Sequence, residues 1–128
     1  MKHTQPDQRL VKAIVRELEK HRGIDGRIRR DDLCDELVWR TGRRVPDREM
    51  RFAIEAARGT KSGALICSTT KGGGGYYMAR CTAELDEYLR QDESRCREMW
   101  QRCRKQRAAA GIALSGEEVH QMEMEMLL

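Results

Sequence analysis

The sequence predicts a mainly α-helical protein with one small β-hairpin and a long C-terminal helix. Two observations lead to this fold class: apolar residues recur at helical spacing in several segments, and a glycine-rich stretch separates two short apolar runs. The chain has 128 residues, of which 39% are hydrophobic and 36% charged. That length suits one domain with an appendage, and only six aromatic residues are present, so the core is expected to be small and largely aliphatic.

Three short helices are expected in the first half of the chain, at residues 7–22, 31–41 and 47–58. Their apolar positions recur on one face of a helix with 3.6 residues per turn. These positions are Leu10, Val11, Ile14, Val15 and Leu18, then Leu33, Leu37 and Val38, then Met50, Ala53, Ile54 and Ala57. Each segment is followed by a glycine, which commonly ends a helix: Gly23, Gly42 and Gly59. A few residues join the second and third helices, which therefore form a helix-turn-helix unit.

A β-hairpin is expected next. Residues 64–68 and 76–80 are short apolar runs, and the stretch between them ends in four consecutive glycines. Such a connection predicts a hairpin with a mobile tip. Ile28 is expected in a very short strand of its own.

Thr82 is a good N-cap for a long helix over about residues 83–109, which ends by Gly111. At about 1.5 Å per residue this helix is about 40 Å long, whereas a body of about 80 residues is about 25–30 Å across. Its C-terminal part is therefore expected to extend beyond the body. A heptad-like apolar stripe, interrupted by Asp92, follows the helix: Leu85, Tyr88, Leu89, Cys96, Met99, Trp100 and Cys103. A homodimer seam or packing on a partner is the favoured interpretation, and packing on the chain's own domain or on the C-terminal helix is the alternative.

The last residues form an acidic, methionine-rich tail. Ser115 to Glu118 is a capping box that predicts a short helix, although residues 122–126 also alternate with the period of a strand. Met122 and Met126 offer an adaptable apolar contact surface. The expected division is a body at 1–81, an association helix at 82–110 and the tail at 111–128.

Helices followed by a hairpin are the arrangement of a winged helix-turn-helix domain, and residues 24–88 resemble small winged-helix DNA-binding proteins encoded by bacteriophages and prophages. The resemblance rests on Arg48-Glu49-Met50-Arg51 and Ile54, Leu65-Ile66-Cys67-Ser68, Gly75-Tyr76-Tyr77-Met78-Ala79, and Thr82-x-Glu84-Leu85-x-x-Tyr88. It implies sequence-specific binding of double-stranded DNA through the third helix, in a phage regulatory or replication setting. The polar link at 58–63 and the four consecutive glycines depart from the usual pattern.

Charge is distributed unevenly along the chain, whose formal net charge is +4. Residues 1–81 carry 18 basic and 11 acidic side chains, a net charge of +7, whereas residues 111–128 carry four acidic side chains and no basic one. A basic body with an acidic tail is typical of proteins that bind nucleic acid.

The third helix is the candidate reader of the DNA major groove, which accommodates an α-helix. With Met50, Ile54 and Ala57 facing inward, the opposite face is basic. A solvated basic face is the structural alternative. The expected DNA contacts are Arg43 and Arg44 before the helix, Arg48, Arg51 and Glu55 on it, Arg58 and Lys61 after it, and Lys71 at the hairpin tip.

Trp39 and Phe52 fall on the outward faces of the second and third helices. Exposed large aromatic residues often mark protein contacts, but packing under the first or fourth helix is the favoured interpretation here. A competing function is therefore a module that inhibits or recruits a host protein without binding DNA. Trp39 and Phe52 exposed together, with Arg48 and Arg51 paired with Glu49 or Glu55, would favour a protein partner. Free arginines on the third helix, with the third helices of a dimer about 34 Å apart, would favour DNA.

Other site classes find little support. Lys71 precedes the glycines and a strand follows them, whereas a phosphate-binding P-loop has its lysine after the glycines and then a helix. No serine has a nearby histidine pattern, so we expect no enzyme and no cofactor. The five cysteines lack metal-ligand spacing, so we expect free thiols that act as small core residues, and no metal. No membrane span and no signal peptide are expected, which favours a cytoplasmic location.

Overall fold

The structure is a computed structural model that describes residues 5–113 and 123–126. Within these residues the chain is mainly helical, with one two-stranded antiparallel sheet and a long C-terminal helix, as the sequence predicts. The elements in chain order are α1 (Gln8–Leu18), α2 (Arg30–Thr41), α3 (Asp47–Arg58), β1 (Ile66–Thr69), β2 (Gly75–Met78) and α4 (Thr82–Ala113). The chain divides into two compact units, one ending at Tyr88 and one beginning at Leu89.

The first helix is shorter than predicted, because the backbone after Leu18 forms hydrogen bonds with strand β2 of the hairpin. The backbone N–H of Met78 donates to the carbonyl of His21 at 2.8 Å, and the N–H of Gly23 donates to the carbonyl of Met78 at 2.8 Å. The apolar positions end at Leu18, as α1 does, and the predicted extension to residue 22, with Gly23 as the stop, is wrong.

The second and third helices begin and end close to the predicted residues. Gly42 adopts the left-handed conformation, with φ 72°, that commonly ends a helix, and α3 begins directly after Pro46. Leu33 and Leu37 are buried, but Val38 is 38% exposed, so the prediction that it lies on the buried face is wrong.

The hairpin pairs Ile66 with Met78 and Thr69 with Gly75. Both strands are displaced from the predicted spans by one or two residues, although the N–H of Ala79 still donates to the carbonyl of Leu65 across the hairpin at 2.9 Å. Residues 64–65 lie in a turn that the bond from the N–H of Ile66 to the carbonyl of Gly63 closes, and the N–H of Arg80 donates to Glu84 at the start of α4. Side chains alternate across the hairpin and are buried on both of its faces.

Two clusters of buried side chains form the core of the first unit. The larger lies among α1, α2 and α3 and includes Ile28, Ile66 and Met78. The smaller cluster consists of Cys67, Tyr77, Ala79 and Tyr88, with Ile24 and Leu85 packed against it. Through Leu85 and Tyr88, the first turns of α4 belong to the body.

The four glycines from Gly72 to Gly75 all adopt positive φ angles, between 55° and 144°. The backbone at Gly75 also lies close to a neighbouring extended segment, so a Cβ added there would be 2.6 Å from the carbonyl oxygen of Ile28. Ile28 itself forms a bridge with Tyr76, with both N–H···O distances at 2.9 Å. Backbone conformation therefore favours glycine at all four positions. The prediction of a mobile tip did not include this conformational reason for the glycines.

The long helix continues to Ala113, past the predicted end at Gly111. Three alanines precede that glycine, and one glycine inside a helix costs only about 1 kcal/mol relative to alanine, so the helix can continue through it. From Leu89 to residue 112 no side chain is buried. Leu89 is 44% exposed and Met99 55%, and Cys96, Trp100 and Cys103 are exposed as well.

Most of the predicted last helix, including Met122, lies outside the described residues. Residues 123–126 form one helical turn in which Met126 is exposed, and its Sδ accepts a hydrogen bond from Nη2 of Arg107 at 3.3 Å. No helix in the described ranges is both long enough and apolar enough to cross a membrane.

The prediction that the cysteines are small core residues holds for Cys67, which is buried, and in part for Cys34, whose Sγ donates to the carbonyl of Val45 at 3.1 Å. It is wrong for Cys81, Cys96 and Cys103, which are all exposed. All five are free thiols.

Candidate nucleic-acid interface

The third helix has one buried and one exposed face. Met50, Ala53, Ile54 and Ala57 are buried in the larger cluster. Because these positions follow the helical period, the residues between them face outward. That outward face and its flanks carry the predicted DNA contacts, and the structure divides these residues into three groups.

The first group is exposed and unpaired. The side chains of Arg44, Arg48, Lys61 and Lys71 are exposed and have no hydrogen-bond or ion-pair partner among the described residues. Arg48 lies in the first turn of α3, two residues before buried Met50. These four cations are available to an anionic ligand without breaking any bond in the described chain.

The second group, Arg51 alone, is paired at the surface. Its Nε lies 2.9 Å from Asp47, one helical turn earlier, and the Arg51 side chain is 60% exposed. Asp47 also lies 3.5 Å from Arg30. Exposed ion pairs of this kind contribute only about 0–1 kcal/mol, so a phosphate can compete with Asp47 for this guanidinium.

The third group is paired with carboxylates and carbonyls of neighbouring segments. Arg43 contacts Glu49 at 2.6 Å and Asp7 at 2.9 Å, and so connects the start of α1 with the first turn of α3. These two hydrogen-bonded carboxylates raise the pKa of the Arg43 guanidinium above its usual value, and the hydrogen bond from Arg43 lowers the pKa of Asp7. Its side chain is therefore already occupied.

Arg58 belongs to the same group. It contacts Glu55 at 2.6 Å, donates to the carbonyl of Ile66 at 3.2 Å and to Ser68 at 3.3 Å, and lies 5.6 Å from the centre of the Tyr88 ring. These contacts join α3 to β1 and to the first turns of α4. Glu55 is engaged in the same pair through Oε1, and its side chain is 69% exposed, so the second carboxylate oxygen faces solvent.

Two arginines beside the hairpin tip were missed by the sequence analysis. Arg27 donates to the carbonyl of Ile24 at 2.9 Å and to that of Gly72 at 3.4 Å. The guanidinium of Arg29 is 3.5 Å from where a Cβ on Gly73 would stand, and this side chain has no partner in the described chain. The alternation of these arginines about buried Ile28 is the sequence signal that could have found them.

Trp39 and Phe52 are exposed, at 84% and 42% of their surfaces. The favoured prediction, that they pack under the first or fourth helix, is therefore wrong. A large aromatic side chain that is mostly in water, as Trp39 is, is unusual, and such residues often mark protein contacts. The exposure of Trp39 is therefore consistent with a protein-binding surface on α2.

The exposed face of α2 is acidic. Asp31, Asp32, Asp35 and Glu36 are all exposed, and the last three line an open groove. The other residues that line this groove are Glu17, His21, Arg27, Ile28 and Arg29. This face would repel phosphate, so it limits a nucleic-acid surface to α3 and the hairpin tip. No group of three or more His, Cys, Asp or Glu side chains in the described chain is arranged to hold a metal ion.

Buried Glu17 joins the first two helices. Its carboxylate accepts hydrogen bonds from Nε and Nη2 of Arg40 at 3.1 and 3.0 Å and lies 3.1 Å from Nε2 of His21. This network is structural, and it connects α1 to the acidic helix rather than to α3.

Comparisons with protein-family models, with curated proteins and with solved structures find no match to this chain in any of the three.

Proposed function

We propose that this protein is a sequence-specific double-stranded DNA-binding protein of the winged helix-turn-helix class. In this proposal α2 and α3 are the helix-turn-helix, α3 lies in the major groove, and the glycine-rich hairpin is the wing that lies along the DNA backbone. A homodimer through α4 would present two such helices. The resemblance to phage proteins implies a regulator or a replication accessory as the biological role.

The observation that carries the proposal is the exposed, unpaired state of Arg48 on the outward face of α3. An arginine at this position can donate two hydrogen bonds to the edge of a guanine or contact a phosphate. Arg44 before α3, Lys61 after it and Lys71 at the hairpin tip add three unpaired cations, which are suited to backbone contacts that fix position rather than sequence.

Salt dependence tests the electrostatic part of the proposal. With four unpaired cations, log K for a duplex is expected to fall with log salt at a slope near −4, since each neutralised phosphate contributes about −0.9. The assay is fluorescence anisotropy with duplexes of about 30 base pairs from a randomised pool, followed by selection of the bound sequences. Absence of salt-sensitive binding to every duplex would refute the proposal.

Arg48→Ala tests the reader. If Arg48 contacts a base, its loss is expected to weaken binding to the selected sequence by about 1–3 kcal/mol and to relax the preference at one base pair. Arg16→Ala is the matched control, because Arg16 is exposed on α1, outside the proposed DNA and dimer contacts, and has no partner among the described residues. Equal binding by the Arg48→Ala and Arg16→Ala variants would exclude Arg48 as the base-contacting residue.

A second candidate function is a module that binds a host protein, and the exposure of Trp39 favours it. The partner would cover this aromatic side chain on α2, away from the unpaired cations of α3. Capture of one protein from nuclease-treated host lysate by the native chain, lost with Trp39→Ala and retained with Arg48→Ala, would support this function. The opposite pattern, with capture dependent on nucleic acid and on Arg48, would support DNA binding instead.

A further inference from the structure

The long helix α4 is divided into two halves of opposite charge. Residues 82–96 carry five acidic and two basic side chains, a net charge of −3, and we call them the acidic half. Residues 97–113 carry one acidic and five basic side chains, a net charge of +4, and we call them the basic half. The sign changes at the middle of the exposed apolar stripe, between Cys96 and Met99.

The dipole of the helix accounts for only part of this pattern. Acidic residues near an N-terminus and basic residues near a C-terminus are favourable, but the effect falls off within one turn. Asp92 and Glu93 lie about 15 Å from the start of α4, and Arg102 lies about 16 Å from its end, at 1.5 Å per residue. Among the described residues from Leu89 onward, one ion pair is formed, between Arg95 and Asp92 at 3.5 Å. The central charges therefore lack partners that would explain their separation.

The apolar stripe has the spacing of a coiled-coil seam. Positions 89, 92, 96, 99, 103 and 106 alternate by three and four residues, which brings them to one side of the helix. Leu89, Cys96, Met99 and Cys103 are exposed there, and no described side chain covers them. Position 92 is an aspartate and position 106 a glutamine, so four of the six positions are apolar.

The charge distribution favours one relative direction, parallel or antiparallel, for a second helix that packs on this seam. In a parallel pair in register, Asp92 would face the same aspartate of the other copy, and each half would lie beside a half of its own sign. In an antiparallel pair centred between residues 97 and 98, Cys96 of one copy lies opposite Met99 of the other. Asp92 lies opposite Cys103 of the other copy, next to its Arg102. The acidic half of each helix then lies along the basic half of the other. Like charges repel and opposite charges attract at these separations, so the antiparallel pair is favoured.

We propose that α4 binds α4 of a second copy of this chain in the antiparallel direction, over residues 89–106. This segment is about 27 Å long. The contact between Arg107 and Met126 lies beyond it, and Leu85 and Tyr88, which pack in the body, precede it. The inference rests on the homodimer of the proposed function and is independent of DNA binding.

Disulfide trapping tests the direction of the pair. Cys81→Ser and Cys96→Ser remove two exposed thiols, and Asp92→Cys is added to native Cys103. On oxidation by a diazenedicarboxamide, two thiols form one S–S bond, and the reagent takes up the two electrons and two protons as a hydrazine. Because positions 92 and 103 of one helix are about 16 Å apart, they cannot join each other within a chain. A covalent dimer linked from 92 to 103, identified by peptide mass spectrometry, is the expected product.

Two control chains complete the test, each with only one of positions 92 and 103 as cysteine; we call them single-thiol chains because each keeps one exposed thiol, while Cys34 and Cys67 are unchanged. In the antiparallel pair identical positions lie about 16 Å apart, so neither chain should form the covalent dimer. Efficient dimers of the single-thiol chains would show a parallel pair and overturn the proposal. A native chain that stays monomeric by sedimentation at about 0.5 mM would overturn it as well.

Charge reversal gives an independent readout on the otherwise native chain. Asp92→Lys puts a cation beside Arg102 of the second copy in the antiparallel pair, and is expected to weaken dimerisation roughly fivefold to thirtyfold. In a parallel pair the change replaces one like-charge contact by another and has little effect. Glu98→Lys is the control with the same change in net charge, since position 98 lies outside the seam.

Discussion

Replacing Glu17 by alanine removes the centre of the hydrogen-bonded network between α1 and α2. The Glu17 side chain is only about 5% exposed, and it accepts two hydrogen bonds from Arg40 while lying beside His21. The variant leaves Arg40 and His21 without their shared partner. We therefore expect a loss of folding stability rather than a change in any surface property.

The size of this loss follows from the burial of the two partners. Breaking a buried ion pair from one side costs about 3–5 kcal/mol. The Arg40 side chain is 26% exposed, so water replaces part of the lost interaction, and the expected cost is about 2–3 kcal/mol. For a body of 80 to 90 residues that cost corresponds to a fall in Tm of about 10–20 °C.

Urea denaturation and thermal melting, both followed by circular dichroism, measure this change. Glu36→Ala is the matched control, because Glu36 is an exposed carboxylate on α2, and its loss is expected to change stability by less than about 0.5 kcal/mol. If Glu17→Ala is as stable as the control to within that margin, the network contributes nothing and the reasoning from burial is refuted.

Acid should reproduce part of the effect in the native chain. Burial by itself raises the pKa of Glu17, but hydrogen bonds from His21 and Arg40 outweigh it and hold the pKa below 4.5. Since this value is lower than in the unfolded chain, the stabilisation is complete above about pH 4.5 and is lost as the pH falls through the folded-state pKa. A Glu17→Gln variant should therefore lose less stability than the native chain between about pH 6 and about pH 3.

Two further predictions concern a glycine and a thiol. Gly75→Ala is expected to lower the free energy of unfolding of the body, measured in urea, by about 2–4 kcal/mol, because φ is positive and the new Cβ meets the carbonyl of Ile28. Gly26→Ala is the control and should be nearly neutral. Equal stability of the two variants would contradict this account. Burial raises the pKa of the Cys67 thiol to about 11, so at pH 8 it should react with an aromatic disulfide reagent at least about a hundredfold more slowly than exposed Cys103, and comparable rates would show that Cys67 is accessible.

Local signals predicted most of the fold. The spacing of Met50, Ala53, Ile54 and Ala57 gave the buried face of α3, and Gly42 marked the end of α2, because a helical period and a left-handed glycine depend on neighbouring residues alone. The hairpin followed in the same way from two apolar runs, although its ends were displaced by one or two residues.

Long-range contacts explain what the sequence could not predict. The end of α1 depends on bonds between His21 and β2, far apart in the chain. Arg48 is unpaired, whereas Arg43 and Arg58 are bound by carboxylates and carbonyls. This difference depends on where the fold places those partner groups. In the sequence all three arginines look alike, so a count of basic residues overstates the number of cations that a ligand meets.

The shape of the hairpin tip has a thermodynamic consequence for anything that binds there. Its glycines are fitted against the segment from Arg27 to Arg29, and the bond from the N–H of Gly74 to the carbonyl of Lys71 closes the turn at 3.0 Å. A loop that already has its bound shape loses little conformational entropy when a partner arrives, whereas a flexible glycine loop loses much. For a partner that binds the tip in this shape, only the side chain of Lys71 would remain to be ordered.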